Sequence, residues 1–273
     1  MRPALPASTR YIEGAVQDAS AIAVPRMWGL RPVPLERDAL RRRIYAPVAY
    51  AAVRDQAVVP VVHTEAYQLA AWFPLVWRAR GTEYDLVVVR ALLDDQRAQP
   101  RAAARALLPR ILQAYPFVFE PTNPQEIEGM RMLDDVFADQ PTDVGASITT
   151  VGGKFSRAAL LRFRILDGLA GDLTTTRRIG EVLASSDLLE PWRLKFDIAG
   201  RSVEVPNLFI VRQDAFETGK LSPVLEELGA PAALVLGLHR ISVFRAGALL
   251  ATARMLLEPP PSGTADGRAY TAA

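Results

Sequence analysis

The sequence predicts an α+β protein, a mostly antiparallel sheet packed with several helices in a single large domain. Three observations lead there. Over residues 187–216 apolar and charged side chains alternate across short polar breaks, the period of a strand with one buried face. Over residues 44–92 the pattern reads strand, strand, helix, strand, strand, an order that favours antiparallel pairing. After Ser156 the apolar period becomes helical, and it persists as far as Leu189.

Taken in order, residues 1–40 form a proline-punctuated leader (Pro3, Pro6, Pro25, Pro32, Pro34) in which regular structure is not expected, although Trp28 and Leu30 are suited to docking on the body. Arg37, Arg41, Arg42 and Arg43 read as a solvated helical turn before the first strand, with an anion site as the sharper alternative. The main domain is expected over residues 41–257. Residues 44–62 look like two strands around the break Arg54-Asp55-Gln56. Thr64 or Glu65 then opens a short helix, and strands follow at residues 73–77 and 84–92, joined through Gly81. Residues 100–112 carry a helical period that Pro109 should kink or divide. Residues 115–119 are an apolar strand, and residues 120–153 an irregular insertion with one short strand near 127–132.

Ser156 is placed to cap the long helix, whose inward face is read as Leu160, Leu161, Phe163, Ile165, Leu166 and Leu169, continued by Ile179, Val182, Leu183 and Leu188. Leu194, Phe196 and Ile198 then face Val203 and Val205 across Gly200 as a hairpin. Pro206 marks a strand end, and Leu208 to Val211 is apolar enough for a central strand. Asp214 is placed to cap the next segment. Two further helices divide at Gly229-Ala230-Pro231, and residues 258–273 are small, polar and expected to be disordered.

Composition narrows the function classes. Half of the 273 residues are hydrophobic, ample for a core. The 32 Lys and Arg nearly balance the 30 Asp and Glu, so a net charge of +2 gives no global attraction to nucleic acid. With no cysteine, thiolate catalysis, disulfides and Cys-ligated metal centres are excluded. The first residues lack the apolar core of a secretory signal. No uninterrupted apolar run reaches the roughly 20 residues of a membrane span, and a soluble, cytoplasmic protein is expected.

Several stretches together resemble the SapC family of bacterial proteins. They are YAPVAYAAV with VVPVVHTEAYQLAAWFPLVW, then YPFVF, the long helix, and SDLLEPWRLKFDIAG with VPNLFIVRQDAF. The resemblance spans about residues 45–245 and is strongest over Glu65 to Val76, Tyr115 to Phe119 and Leu189-Glu190-Pro191-Trp192. It implies a context, that of surface-layer loci and of genes beside halogenase-like flavoproteins, and supplies no catalytic residues. The Asn- and Gly-containing turn and the Trp that usually precede the Pro-Phe strand are missing here.

Candidate chemistry is sparse. His63, Glu65 and His239 follow the residue order of a non-haem iron facial triad, which needs two neutral imidazoles and a carboxylate on one side of the metal. A helical setting for His239 argues against it, because such triads draw on a strand. Glu65 also suits simple helix-start electrostatics. Gly152-Gly153 before a helix reads as a mobile turn rather than an anion cradle. Thr174, Thr175 and Thr176 with Arg177 and Arg178 read as a helix start. The aromatics Trp72, Phe73, Trp77, Phe117, Phe119 and Trp192 read first as core and second as a ligand groove. If a ligand or partner surface exists, its candidates are Trp72, Phe73, Trp77, Phe117, Glu190 and Trp192.

The favoured expectation is therefore a non-catalytic accessory protein that needs no cofactor and works with a protein partner. That partner would be a halogenase-like flavoprotein or an export or surface-layer system. The alternatives are an iron-dependent oxygenase-like enzyme and a small-molecule-binding domain with an aromatic cleft.

Overall fold

A computed structural model describes residues 31–93, 107–119, 131–141, 143–198 and 200–257. Trp28, Leu30, residues 100–106, 120–130 and the tail from 258 lie outside the described residues. The chain runs β1 (Pro32–Pro34), α1 (Arg37–Leu40), β2 (Arg43–Ile44), α2 (Ala51–Arg54), β3 (Val58–Pro60), α3 (Ala66–Leu69), β4 (Leu75–Arg80) and β5 (Glu83–Val89). Next come α4 (Arg110–Gln113), β6 (Phe117–Phe119), β7 (Arg131–Asp134), β8 (Ala146–Ser147) and the 29-residue α5 (Arg157–Ser185). The last part contains β9 (Leu189–Pro191), β10 (Leu194–Ile198), β11 (Arg201–Val205), β12 (Leu208–Val211), α6 (Gln213–Glu217), α7 (Ser222–Ser242) and α8 (Ala246–Leu257).

The main sheet has five strands in the order β3-β5-β4-β12-β9, with every pair antiparallel. Smaller sheets join β1-β7-β6, β10-β11 and β2-β8. This is the α+β architecture that the alternation implied. β5 explains why the sheet holds the centre. Its residues Leu86, Val87, Val88 and Val89 are all buried in succession, as a strand covered on both faces requires. Alternate residues then enter different cores. Leu75, Trp77, Leu86 and Val88 pack with α5 and α7 in one cluster. Val76, Val87 and Val89 meet Leu194, Ile198, Val203, Leu249 and Ala253 in the other, beneath the β10–β11 hairpin and α8.

The hairpin turns form where the glycines place them. Gly81 and Gly200 take φ of 62° and 76°, a region that costs a residue with a Cβ. β10 and β11 pair Leu194 with Val205 and Phe196 with Val203. β12 is an interior strand, and the last long helical region breaks at Gly229 with φ 56°. Ser156 caps α5, its Oγ accepting from the Ala159 amide at 3.2 Å.

Other expectations are corrected. Beyond Ile44, which ends β2, residues 45–54 are not a strand. A 3-10 turn at Pro47–Ala49 leads into α2, and Ala46, Ala49, Tyr50 and Val53 are buried at helical spacing. Residues 32–34 of the expected irregular leader form β1, which pairs with β7, whereas α1 is the helical turn expected ahead of β2. Pro109 is the N-cap of α4, and the part of the expected helix before residue 107 lies outside the described residues. Leu160 and Leu161 are exposed, because α5 turns only Phe163, Leu166 and Leu169 of that first stretch fully inward. Thr174 to Thr176 lie inside α5 and start nothing. Asp214 sits within α6, whose N-cap is Arg212, and receives Lys220 and Arg212.

α5 crosses β5 at Gly180, where an added Cβ would stand 2.6 Å from the Tyr84 carbonyl oxygen. That contact is backbone and cannot swing away. Helix propensity alone would make Gly180→Ala stabilising by about 0.5–1 kcal/mol. The close approach reverses the sign. Gly180→Ala is expected to destabilise by about 1–3 kcal/mol, read as a lower urea midpoint in equilibrium unfolding.

Candidate functional site

The first group surrounds His239. β12 pairs with β4 at Leu208–Arg78 and Phe209–Trp77, and continuing that register would set Val211 opposite Leu75. The direct ladder bond there is replaced by an imidazole. The Val211 amide donates to His239 Nε2 at 3.1 Å, and His239 Nδ1 donates to the Leu75 carbonyl at 2.6 Å. Ser242, one turn on, accepts from the Leu75 amide at 2.9 Å and donates to the His239 carbonyl at 3.0 Å. Both backbone groups of Leu75 are thus served by α7. Pro74 before it and the divergence of β12 toward β9 leave them without a strand partner on that side. The Trp77 ring meets the imidazole edge to face at 4.9 Å.

These contacts dictate the neutral imidazole. One nitrogen must carry a proton and the other must accept one. Burial pushes the His239 pKa down to about 4, against a smaller upward pull from the Leu75 carbonyl.

The second group gathers around the 3-10 turn at His63–Glu65. Glu65 is buried and caps two helical starts at once. Its Oε2 accepts from the Val62 amide at 3.0 Å and its Oε1 from the Arg110 amide at 2.5 Å. Burial raises its pKa, opposed by those two amides. His63 donates its backbone amide to Thr176 Oγ1 at 2.9 Å and places Nδ1 3.0 Å from the same oxygen. The Thr176 hydroxyl proton goes to the Asp172 carbonyl at 2.8 Å, so Thr176 accepts from both. Asp172 Oδ2 in turn receives Thr64 and, at 2.8 Å, Arg110 Nη1.

The facial-triad ordering therefore becomes two separate braces. Among the described residues, no three of His, Asp, Glu or Cys form a group that could hold a metal. Both His239 nitrogens and both Glu65 oxygens already hold backbone partners. Sequence reasoning misses Thr176, because a threonine run beside two arginines has the pattern of a helix start. It misses Asp134 too, which is buried and accepts from Tyr115 and, at 2.7 Å, from the Arg31 amide. Only a carboxylate following apolar neighbours hints at it.

The aromatic candidates divide. Phe73, Trp77 and Phe117 are interior, Trp192 packs partly against the second core, and Glu190 and Trp72 face solvent, Trp72 with 58 % of its surface exposed. They do not form a shared groove. A cleft of about 430 Å³ lies elsewhere, between Asp55, Val58, Arg78, Leu92, Glu204 and Pro206, and none of the aromatic candidates lines it.

Compared with known proteins, the chain matches the SapC family model over residues 41–227, more than half its length. No curated protein and no solved structure matches it.

The histidine brace has a pH signature. The folded-state pKa of about 4 lies below the ordinary 6.5, so the unfolded chain binds the extra proton between those values. Stability from His239 is therefore complete above pH 6.5 and is lost as pH falls toward 4. The loss amounts to about 3 kcal/mol at most. Glu65, with its raised pKa, acts in the opposite sense above its ordinary 4.5. The histidine's part is expected as the difference between the wild-type and His239→Gln acid limbs in urea titrations at stepped pH. Parallel limbs would show that the imidazole does not carry it.

Proposed function

The chain belongs to the SapC family, and from that membership and the way its reactive candidates are consumed by internal bonds we propose a non-catalytic accessory protein that acts by docking on a partner. The carrying observation is that both Glu65 oxygens and both His239 nitrogens hold backbone partners, and that His63 is tied to Thr176 through its amide and Nδ1. A general acid or base must be free to reach its substrate. Here the same groups hold turns, helices and strands in register. Large apolar side chains meanwhile stand in water, among them Trp72 and Tyr67 at 58 % and 74 % exposure. Tyr67 belongs to α3, which packs against α7, and Trp72 lies in the turn that follows it. Exposed aromatics on a rigid support suit protein recognition. The family context points to a halogenase-like flavoprotein or an export or surface-layer component as the partner.

The test is affinity capture of the tagged chain from its native cells at endogenous level. One stoichiometric protein partner is expected, and Trp72→Ala should weaken its retention by roughly tenfold or more, as a hot-spot tryptophan would. A chain recovered alone, or turnover by the isolated protein, would sink the reading.

A further inference from the structure

The C-terminal helices carry a second kind of surface. The inner face of α7 and α8 is committed: Val235, Leu236, His239, Ser242, Leu249 and Ala253 are buried. On the outer face Leu234, Ile241, Phe244, Ala248, Ala251 and Met255 follow one another at helical spacings and are all exposed. Ile241, Phe244 and Met255 stand out, at 66, 79 and 82 % exposure. At 1.5 Å per residue this ridge is about 30 Å long. The region Ser222–Leu257 is long and apolar enough to cross a membrane by length and composition, yet only 28 % of its most apolar window is buried. Its apolar run is broken in the sequence by His239, Arg240, Arg245 and Arg254.

Charge selects the occupant. The ridge is flanked by Arg240, Arg245 and Arg254, and residues 230–257 contain no Asp or Glu. Arg240 lies over the Phe216 ring at 5.5 Å. Among the described residues no carboxylate pairs with any of the three. A second copy docked through this face would set arginine against arginine. A partner helix would need a steady knob-and-hole register. The 3-10 turn at Val243–Arg245 breaks that register at Phe244, the middle of the ridge. A bilayer surface needs no register, tolerates the break, and supplies phosphates for the arginines. Spanning is ruled out because His239 and Ser242 tie α7 to Leu75 and because Leu249 and Ala253 lie in the second core.

We propose that this face docks the protein flat on an anionic phospholipid surface. The ridge would enter the boundary between headgroups and acyl chains, and Arg245 and Arg254 would meet the phosphates.

The experiment is flotation of the full chain with phosphatidylcholine vesicles, with and without phosphatidylglycerol, at low and high salt. No other protein is present, so the result is independent of whether a protein partner exists. Binding is expected on the anionic vesicles and should fall with salt. Arg245→Glu and Arg254→Glu should each weaken it by roughly fivefold or more. Ile241→Glu with Phe244→Glu should abolish it while leaving the thermal unfolding midpoint unchanged, since both side chains are in water. Four outcomes would overturn the proposal: no flotation, equal flotation on neutral vesicles, flotation indifferent to these variants, or a salt-sensitive dimer in scattering that Phe244→Glu dissolves.

Discussion

One imidazole decides how this molecule is assembled. His239 stands where the β4–β12 ladder would continue, and it carries the bond between Val211 and Leu75 through its own ring. A helix is thereby joined to two strands at a point where strands alone leave polar groups unmet. Left unmet, each buried amide or carbonyl would cost about 1–3 kcal/mol. Because the ring is held from both sides, the rotation of α7 about its axis is set. The same residue therefore determines which side chains of α7 reach the core and which remain in solvent.

The remaining buried polar groups obey the same constraint. Glu65 joins the starts of a 3-10 turn and of α4, and Thr176 ties α5 to His63. Arg162 donates to the carbonyls of Tyr45 and Tyr115. Arg90 donates to those of Val53 and Gln56, and burial holds its pKa at about 10. In each case a side chain meets a polar group that irregular backbone leaves unpaired. Short helices and turns are numerous here, so many such side chains are needed.

The sheet is covered on both faces, and the two covers differ. α5 lies close against β5, at a distance only glycine permits at position 180. The hairpin β10–β11 and α8 cover the other face with smaller contacts. Among the described residues, several large apolar side chains of α7 and α8, Ile241 and Met255 among them, remain exposed. Association with another body, protein or lipid, is the ordinary way such surface is removed from solvent.

Much of this was legible in the sequence. Period-two alternation and well-placed glycines located the β10–β11 hairpin, the β4–β5 pair and the Gly229 break, because these features depend on neighbours a few residues away. The same local reasoning makes a strand of residues 44–54, since alanine, valine and tyrosine suit either period until a core selects one face. It could not see that His239, Val211 and Leu75 meet, or that Thr176 serves His63. Those groups lie far apart in the chain, and only the folded backbone brings a donor to within 3 Å or so of its acceptor. The sequence singles out His63, Glu65 and His239 but neither Thr176 nor Asp134, and what each residue does is decided by partners that no spacing reveals. Local sequence determined the elements and their polarity. Tertiary structure alone decided which polar groups were used in the interior and which apolar ones were left outside, because burial is a property of the assembled whole.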